Sequence, residues 1–451
     1  LRRVVVTGLG VVSGLGTDLD TFWRRSLAGD TVVAPIPALW SRCEPRSRHH
    51  APLGPLPDEP ALAPRLERKR LDPVAWIALH AASQALRAAG FELEAGEARG
   101  GPRCLRGVDR ERAGSFVGTG VGGLSSCLAN GAFTLFEAPR AALRTAAAAS
   151  TDARFAAEVA AVAESVPLPP GFSPFTVAQV MPSAPAAAVS IKFGLHGPSR
   201  AATAACASGT VAIGDALRAL RAGECDLALA GGCEYLHDAH GNAFRAFDAA
   251  GALAHGPDPA RLNRPFDAQR SGFLFADGGA AMLVLEAEDH ARARGARVLA
   301  EVRGYGETSD AHSMMAVAPD SRQARRAIEA CLHDAGLAPA DVDYVNAHGT
   351  GTVANDEAEA ELLHALFGER PWVNATKSLL GHTLGASGAL EAAVAVLSLR
   401  DGTTHPCAGL EQPIGRLRYV RGERPSGLRT ALSPSFAFGG HNAVLALAAC
   451  S

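Results

Sequence analysis

None of the nine cysteines pairs with another as CxxC, and their number is odd. That pattern excludes a zinc ribbon and argues against the disulfide framework of a secreted domain. No extended basic run is present, and 43 basic against 46 acidic residues leave a net charge of −3. Nucleic acid is therefore not an expected partner. No apolar run approaches the roughly 20 residues of a membrane span. No signal peptide is read at Leu1-Arg2-Arg3, which leads directly into a strand pattern. The expectation is a cytoplasmic protein without a membrane association. HExxH is missing, and His237 with His240 is a weak pair in a loop, so no metal is expected. A dinucleotide site is not expected either. Gly8, Gly10 and Gly14 are spaced one residue too widely for the fingerprint, and no acidic ribose partner follows.

What is present is a long, half-apolar chain. Its 451 residues, 47% hydrophobic, can bury a large core. Val4–Thr7 reads as a buried strand ended by glycines in a tight turn. Residues 35–70, rich in Pro and Arg, read as surface loop. Residues 126–172 are dominated by Ala and close on Pro167, Pro169 and Pro170; they read as a helical excursion too short for its own core. Beyond it, strands alternate with helices. The segments 227–230, 281–285, 342–346 and 372–375 are strands, with helices at about 321–335, 355–366 and 384–399. The last helix is apolar on nearly every side and belongs in the middle of the protein. The fold class is α/β with helices sandwiched between sheets. No direct sequence repeat is evident.

Three segments could carry chemistry. Cys206 lies among small residues in Ala201-Ala-Thr-Ala-Ala-Cys206-Ala-Ser-Gly209, at a strand-to-helix junction. The free N–H groups and dipole of a helix N-terminus favour a thiolate there. An inert buried thiol is the commoner state of a cysteine, but the other eight lack this setting. His348 enters a Gly/Thr loop after a strand, and His382 follows Lys377 before the buried helix. Functional groups of parallel α/β proteins collect at such strand ends. A lone histidine there is more often a satisfied structural residue; two with a lysine and a helix-tip cysteine form a constellation.

The cysteine segment, His348-Gly-Thr-Gly-Thr352, Lys377 with Gly381-His382, and Ser435-Phe-Ala-Phe-Gly-Gly440 occur in this order. Arg264-Pro-Phe-Asp-Ala, with Gly272-Phe273, and the opening Val-Val-Val-Thr-Gly-Leu-Gly also match. The chain resembles the elongating β-ketoacyl-carrier-protein synthases of the thiolase superfamily over nearly its whole length, except 126–172. The resemblance implies a thiolase fold, five layers α-β-α-β-α from two related halves. The halves are placed at 1–270, with Cys206 and the insertion, and 271–451, with His348 and His382. It further implies a decarboxylative Claisen condensation with no bound cofactor, the substrates riding on the phosphopantetheine arm of an acyl carrier protein. By resemblance Cys206 is the nucleophile and His348 and His382 stabilise the enolate. Lys377 supports them and pairs with Glu391. The backbone N–H groups of Cys206 and Phe438 form the oxyanion hole, and Phe438 is a gate. Thr350 and Thr352 contact the pantetheine arm, and Val121 limits the acyl pocket.

His441 stands where the family has a small hydroxyl residue, and Ser271 where an acidic residue is common. With the long insertion, these departures point to a type II polyketide or polyene-like pathway. A housekeeping fatty-acid synthase and a chain-length factor, the catalytically silent partner subunit, are the alternatives. Cys206 argues against the latter, His382 against an initiating synthase, and the lack of a second cysteine near Phe438 against a thiolase. A dimer is expected, either of two copies or with a chain-length factor, because the Ala-rich run 184–189 makes a poor exposed surface.

Overall fold

In the computed structural model, β1 (Val4–Val12) runs straight through the glycines expected to end it. The structure describes residues 1–451 except Pro57, Pro60, Ala61, 95–103, Val166 and Ser451; of Arg65, Leu66, Glu94 and Cys104 it describes the backbone alone. Helix α1 (Pro73–Ala88), capped by the Asp72 carboxylate on the Val74 N–H, lies directly on β1. A Cβ on Gly8 would strike the Ala85 carbonyl, and one on Gly10 the Ala81 carbonyl. These glycines serve close helix-on-strand packing rather than a turn, which corrects the sequence reading.

The remaining strands of the large sheet are β2 (Ala113–Gly118), β3 (Ser199–Ala202), β4 (Leu227–Tyr235) and β5 (Gly278–Ala287), then β6 (Ala300–Ser309), β7 (Tyr344–Asn346), β8 (Trp372–Asn374), β9 (Arg418–Tyr419), β10 (Thr430–Ala437) and β11 (His441–Ala448). Their spatial order is β9-β8-β7-β10-β11-β6-β1-β5-β4-β2-β3. The seam between β6 and β1 is only two residue pairs, Val5 with Glu301 and Val6 with Ala300. Either side of it the order is the same. With the two-residue edge strand β9 set aside, each sheet, counted within its own half, runs third, second, fourth, fifth, first strand. The first three in that order are parallel, and the last two antiparallel.

The likeness of the halves extends to single residues. On β6, Gly304 and Gly306 face Cys331 and Ala327 of α6 (Arg322–Ala335) as Gly8 and Gly10 face α1. The stretch Val302-Arg-Gly-Tyr-Gly306 thus repeats Val6-Thr-Gly-Leu-Gly10. Helices α5 (Ser208–Arg221) and α8 (Ser387–Asp401) follow the third strand of each half. Each begins at the serine of an Ala-Ser-Gly triplet, at 207–209 and 386–388. A Cβ on Gly209 would sit 2.8 Å from Ala389 N, and one on Gly388 would strike Thr210 Oγ1, so the two helices meet through reciprocal contacts.

Five layers result. Helices α1 and α4 (Ala184–Phe193) cover the outer face of the first sheet, and α6 and α7 (Val353–Phe367) that of the second. α5 and α8 fill the space between the sheets, where every residue from Ser387 to Leu399 is buried. The excursion is a hairpin of α2 (Leu124–Ala149) and α3 (Ala153–Glu164). Only Asn130 and Ala163 are buried in these two helices, as expected of a segment without its own core. Two surface expectations fail. Trp40, within the segment read as loop, is 1% exposed and packs on His50, His237, Phe244 and Phe275. Pro185, Ala186, Ala188 and Val189 of α4 are buried within the chain itself, because α1 lies across them. No helix among the described residues is long and apolar enough to cross a membrane.

Candidate active site

Cys206 sits on a single turn between β3 and α5, preceded by Ala205 at φ 46°, a strained conformation for a residue with a Cβ. The small neighbours expected to let a thioester approach are in place, and the sulfur is buried at 3% exposure. Burial pushes the thiol up to about 12, against the pull of the Lys377 charge and the Phe438 backbone N–H. Loss of hydration thus opposes the thiolate that the helix tip is expected to favour.

The two histidines converge on it. His382 Nε2 lies 3.1 Å from Cys206 Sγ, and the His348 and His382 rings stand at 87° with centroids 5.8 Å apart. Their tautomers follow from their partners. His382 Nδ1 accepts from the Leu384 N–H at 3.2 Å, with Ser387 Oγ at 3.1 Å. Leu384 can do this because it holds φ 47°, the counterpart of Ala205 in the other half. His348 Nδ1 is 3.1 Å from Lys377 Nζ, which also donates to the His348 carbonyl at 2.6 Å and pairs with Glu391. An ammonium has three donors and no acceptor, so all three are spent. Both Nδ1 atoms are therefore acceptors, and both Nε2 atoms carry hydrogens. Burial, reinforced by the Lys377 charge, drives both imidazoles well below their usual range, so they stay neutral.

Cys206, His348, His382, Thr350, Thr352 and Phe438 all line one cavity of about 600 Å³. Thr350 and Thr352 hydrogen-bond each other at 2.8 Å. Lys377 and Glu391 lie behind the histidines, at 2% and 1% exposure. Val121 stands apart: it is 45% exposed and does not line this cavity. Sequence reasoning missed Glu359, which accepts from the backbone N–H of His348 at 2.7 Å and of Gly349 at 2.8 Å. It also missed Glu234, which receives the N–H groups of Gly120 at 2.7 Å and Gly385 at 3.1 Å. Glu359 was findable, since Asp356 and Glu359 are acidic residues one turn apart on a helix that must pack inward. Glu234 left no signal beyond its place at the end of a buried strand.

Comparison with known proteins identifies the family. Residues 1–290 match the beta-ketoacyl synthase N-terminal domain, and residues 299–411 its C-terminal domain. The 3-oxoacyl-[acyl-carrier-protein] synthase 2 of Rhizobium meliloti is 34% identical, over 99% of both chains. That of Staphylococcus aureus strain COL is also 34% identical, over 98% of this chain and 97% of its own. A beta-ketoacyl synthase from Burkholderia phymatum superposes with a TM-score of 0.82 at 32% identity, covering both chains fully. The ketosynthase structure described as a type II PKS acyl-carrier protein in complex with its ketosynthase bound to the hexaketide has a TM-score of 0.80 at 26% identity, again over both whole chains. The layered architecture is the thiolase fold, and the chain belongs to the beta-ketoacyl synthase family, as a condensing acyltransferase that makes β-ketoacyl-carrier protein.

Proposed function

We propose that Cys206 takes an acyl group from a carrier protein and that His348 and His382 then drive decarboxylative condensation with malonyl-carrier protein. The observation that carries this reading is the pair of neutral Nε2–H donors beside one buried thiol. In the first step the thiol attacks the acyl thioester, and its proton leaves with the pantetheine sulfur. The N–H groups of Cys206 and Phe438 receive the carbonyl oxygen as charge builds on it. The malonyl thioester carbonyl then accepts from both Nε2–H groups. Carbon dioxide departs, its bonding pair passes into the enolate, and the enolate carbon displaces the Cys206 sulfur from the acyl group as a thiolate, which takes up a proton from solvent. Lys377 and Glu391 are positioning residues for His348. Thr350 and Thr352 line the entrance used by the pantetheine arm, and Phe438 is the gate between the acyl and malonyl states.

No metal is part of this reading. The Sγ and ring nitrogens of Cys206, His348 and His382 lie within 4.8 Å of one another. Metal-bound histidines, however, usually donate from the far nitrogen to an acceptor. Here both far nitrogens face donors instead.

The carrier protein is the expected macromolecular partner, together with a second subunit. Ile191 (70%) is exposed on α4 beside the edge strand β3, whose first three residues are uncovered, and Val177 (79%) and Met181 (45%) are exposed in the segment leading into α4. An open strand edge flanked by apolar side chains is a pairing surface. The partner would cover Val121 as well, and give it the acyl-pocket role that the isolated chain does not show. The type II polyketide or polyene-like pathway is favoured by the hairpin, His441 and Ser271. The names of the curated relatives favour housekeeping elongation. Intact-protein mass after incubation with a panel of acyl-carrier proteins, with carbon dioxide release from malonyl-carrier protein, tests the reading. A chain that neither gains an acyl mass on Cys206 nor releases carbon dioxide is the silent partner subunit instead.

A further inference from the structure

We propose that Glu234 is a positioning residue for decarboxylation: it holds the turn that decides which ring nitrogen of His382 carries the hydrogen. The inference rests on the reading of His382 as an Nε2–H donor. Glu234 stands near the end of β4 and is 0% exposed. Its carboxylate accepts from four donors. Oε1 takes Thr119 Oγ1 at 3.0 Å and the Val121 N–H at 3.3 Å. Oε2 takes the Gly120 N–H at 2.7 Å and the Gly385 N–H at 3.1 Å. The first three donors belong to one turn, in the half that carries Cys206. The fourth belongs to the turn that follows His382.

Two successive N–H groups in that second turn do different work. The Leu384 N–H donates to His382 Nδ1 at 3.2 Å. It alone dictates the tautomer. Ser387 Oγ, at 3.1 Å from Nδ1, can donate or accept, and has Thr383 Oγ1 at 3.0 Å as another partner. Leu384 presents its N–H from φ 47°, a conformation that a bulky side chain keeps only where its surroundings impose it. The Gly385 N–H lies on the other side of the Leu384 Cα, so the torsions of Leu384 aim it. By accepting it, Glu234 Oε2 holds those torsions. Without an acceptor the Gly385 N–H would be buried and unpaired, which is unfavourable. The turn is then free to relax, and the hydrogen of His382 can settle on Nδ1, where it does nothing for the malonyl oxygen.

The same carboxylate works against the nucleophile, since its charge opposes ionisation of the Cys206 thiol. Its removal should therefore spare acyl loading while harming decarboxylation. Loss of packing alone does not produce that split.

The test is Glu234→Leu and Glu234→Gln in the full chain. Loading from butyryl-carrier protein is followed by intact mass, beside carbon dioxide release from malonyl-carrier protein. Leu keeps the volume without the acceptors. It should slow carbon dioxide release by about tenfold or more, a part of the 10²–10³ that one donor is worth, and slow loading by no more than about twofold. Gln keeps one oxygen for the Gly120 and Gly385 N–H groups and should recover most of the loss. In a His382→Ala background, Glu234→Leu should change carbon dioxide release by less than about twofold, because the group it positions is gone. Should Glu234→Leu fail to fold, Glu234→Met replaces it with the same expectations. Equal loss of loading and release, a Gln variant as slow as Leu, or full additivity with His382→Ala overturns the proposal. An unmodified chain that releases no carbon dioxide overturns the decarboxylation reading instead.

Discussion

His382→Gln and His382→Ala should separate an enolate donor from a general base. In the folded chain the Leu384 N–H fixes His382 Nδ1 as an acceptor, so Nε2–H points at the reacting atoms. Ala removes that donor. By the measure of oxyanion holes, one donor aimed at developing charge is worth about 10²–10³ in rate, roughly 2.7–4 kcal/mol. Gln places an amide N–H close to where Nε2 stood, and should recover much of the loss. The assay is carbon dioxide release from malonyl-carrier protein, run beside acyl loading. Loading should fall less than decarboxylation in the Ala variant, since Phe438 N–H still polarises the sulfur. Because burial holds both imidazoles well below their usual range, decarboxylation by the wild type should also stay flat as pH falls from about 7 to 6. A Gln variant as inactive as Ala, with a wild-type rate that drops through pH 6.5, would mean that His382 works as a base, and the tautomer argument would be wrong.

Cys206→Ala should abolish acyl loading while leaving the fold intact; an acyl adduct on that variant would place the nucleophile elsewhere. Glu234→Gln should show a pH-dependent stability difference. Burial raises Glu234 to about 7 from 4.5, so the folded chain binds its proton first; the stability this contributes is complete below 4.5 and is lost as pH rises through 7. The disadvantage of the variant relative to wild type should therefore shrink by about 3 kcal/mol between pH 4.5 and 7.5, read by urea unfolding; a constant difference would rule out the titration. Gly10→Ala should destabilise by about 1–3 kcal/mol or more, because the new methyl meets the Ala81 carbonyl of α1; an unaltered denaturation midpoint would contradict the packing.

The fold class and the elements of the second half were legible because their periodicity is strong. The buried helix α8 could be recognised from its lack of a polar face. The reactive residues were legible because Gly and small side chains surround them at strand ends. Other features were not. The passage of β1 through Gly8 and Gly10 depends on α1, a partner more than 60 residues away in sequence, and glycine by itself reads as a turn. The repeat of the halves rests on fragments as short as Ala-Ser-Gly, which only the shared strand order makes meaningful. The thiol's protonation depends on the depth at which Cys206 lies, and Trp40's burial on aromatic neighbours some 200 residues distant. Both are properties of tertiary packing.

The matching Ala-Ser-Gly helix starts put Gly385 where the other half has Cys206. The two helix starts are equivalent perches that face each other across the interior. Only one can be filled. A Cβ on Gly385 would strike the Gly120 N–H and stand 2.6 Å from Glu234 Oε2. Glu234 occupies the second perch with a carboxylate that ties both halves together through Gly120 and Gly385. The second perch is thereby closed to any side chain larger than glycine's, which leaves Cys206 alone. That singleness is enforced by crowding on the vacant side, independently of any chemistry at the occupied one.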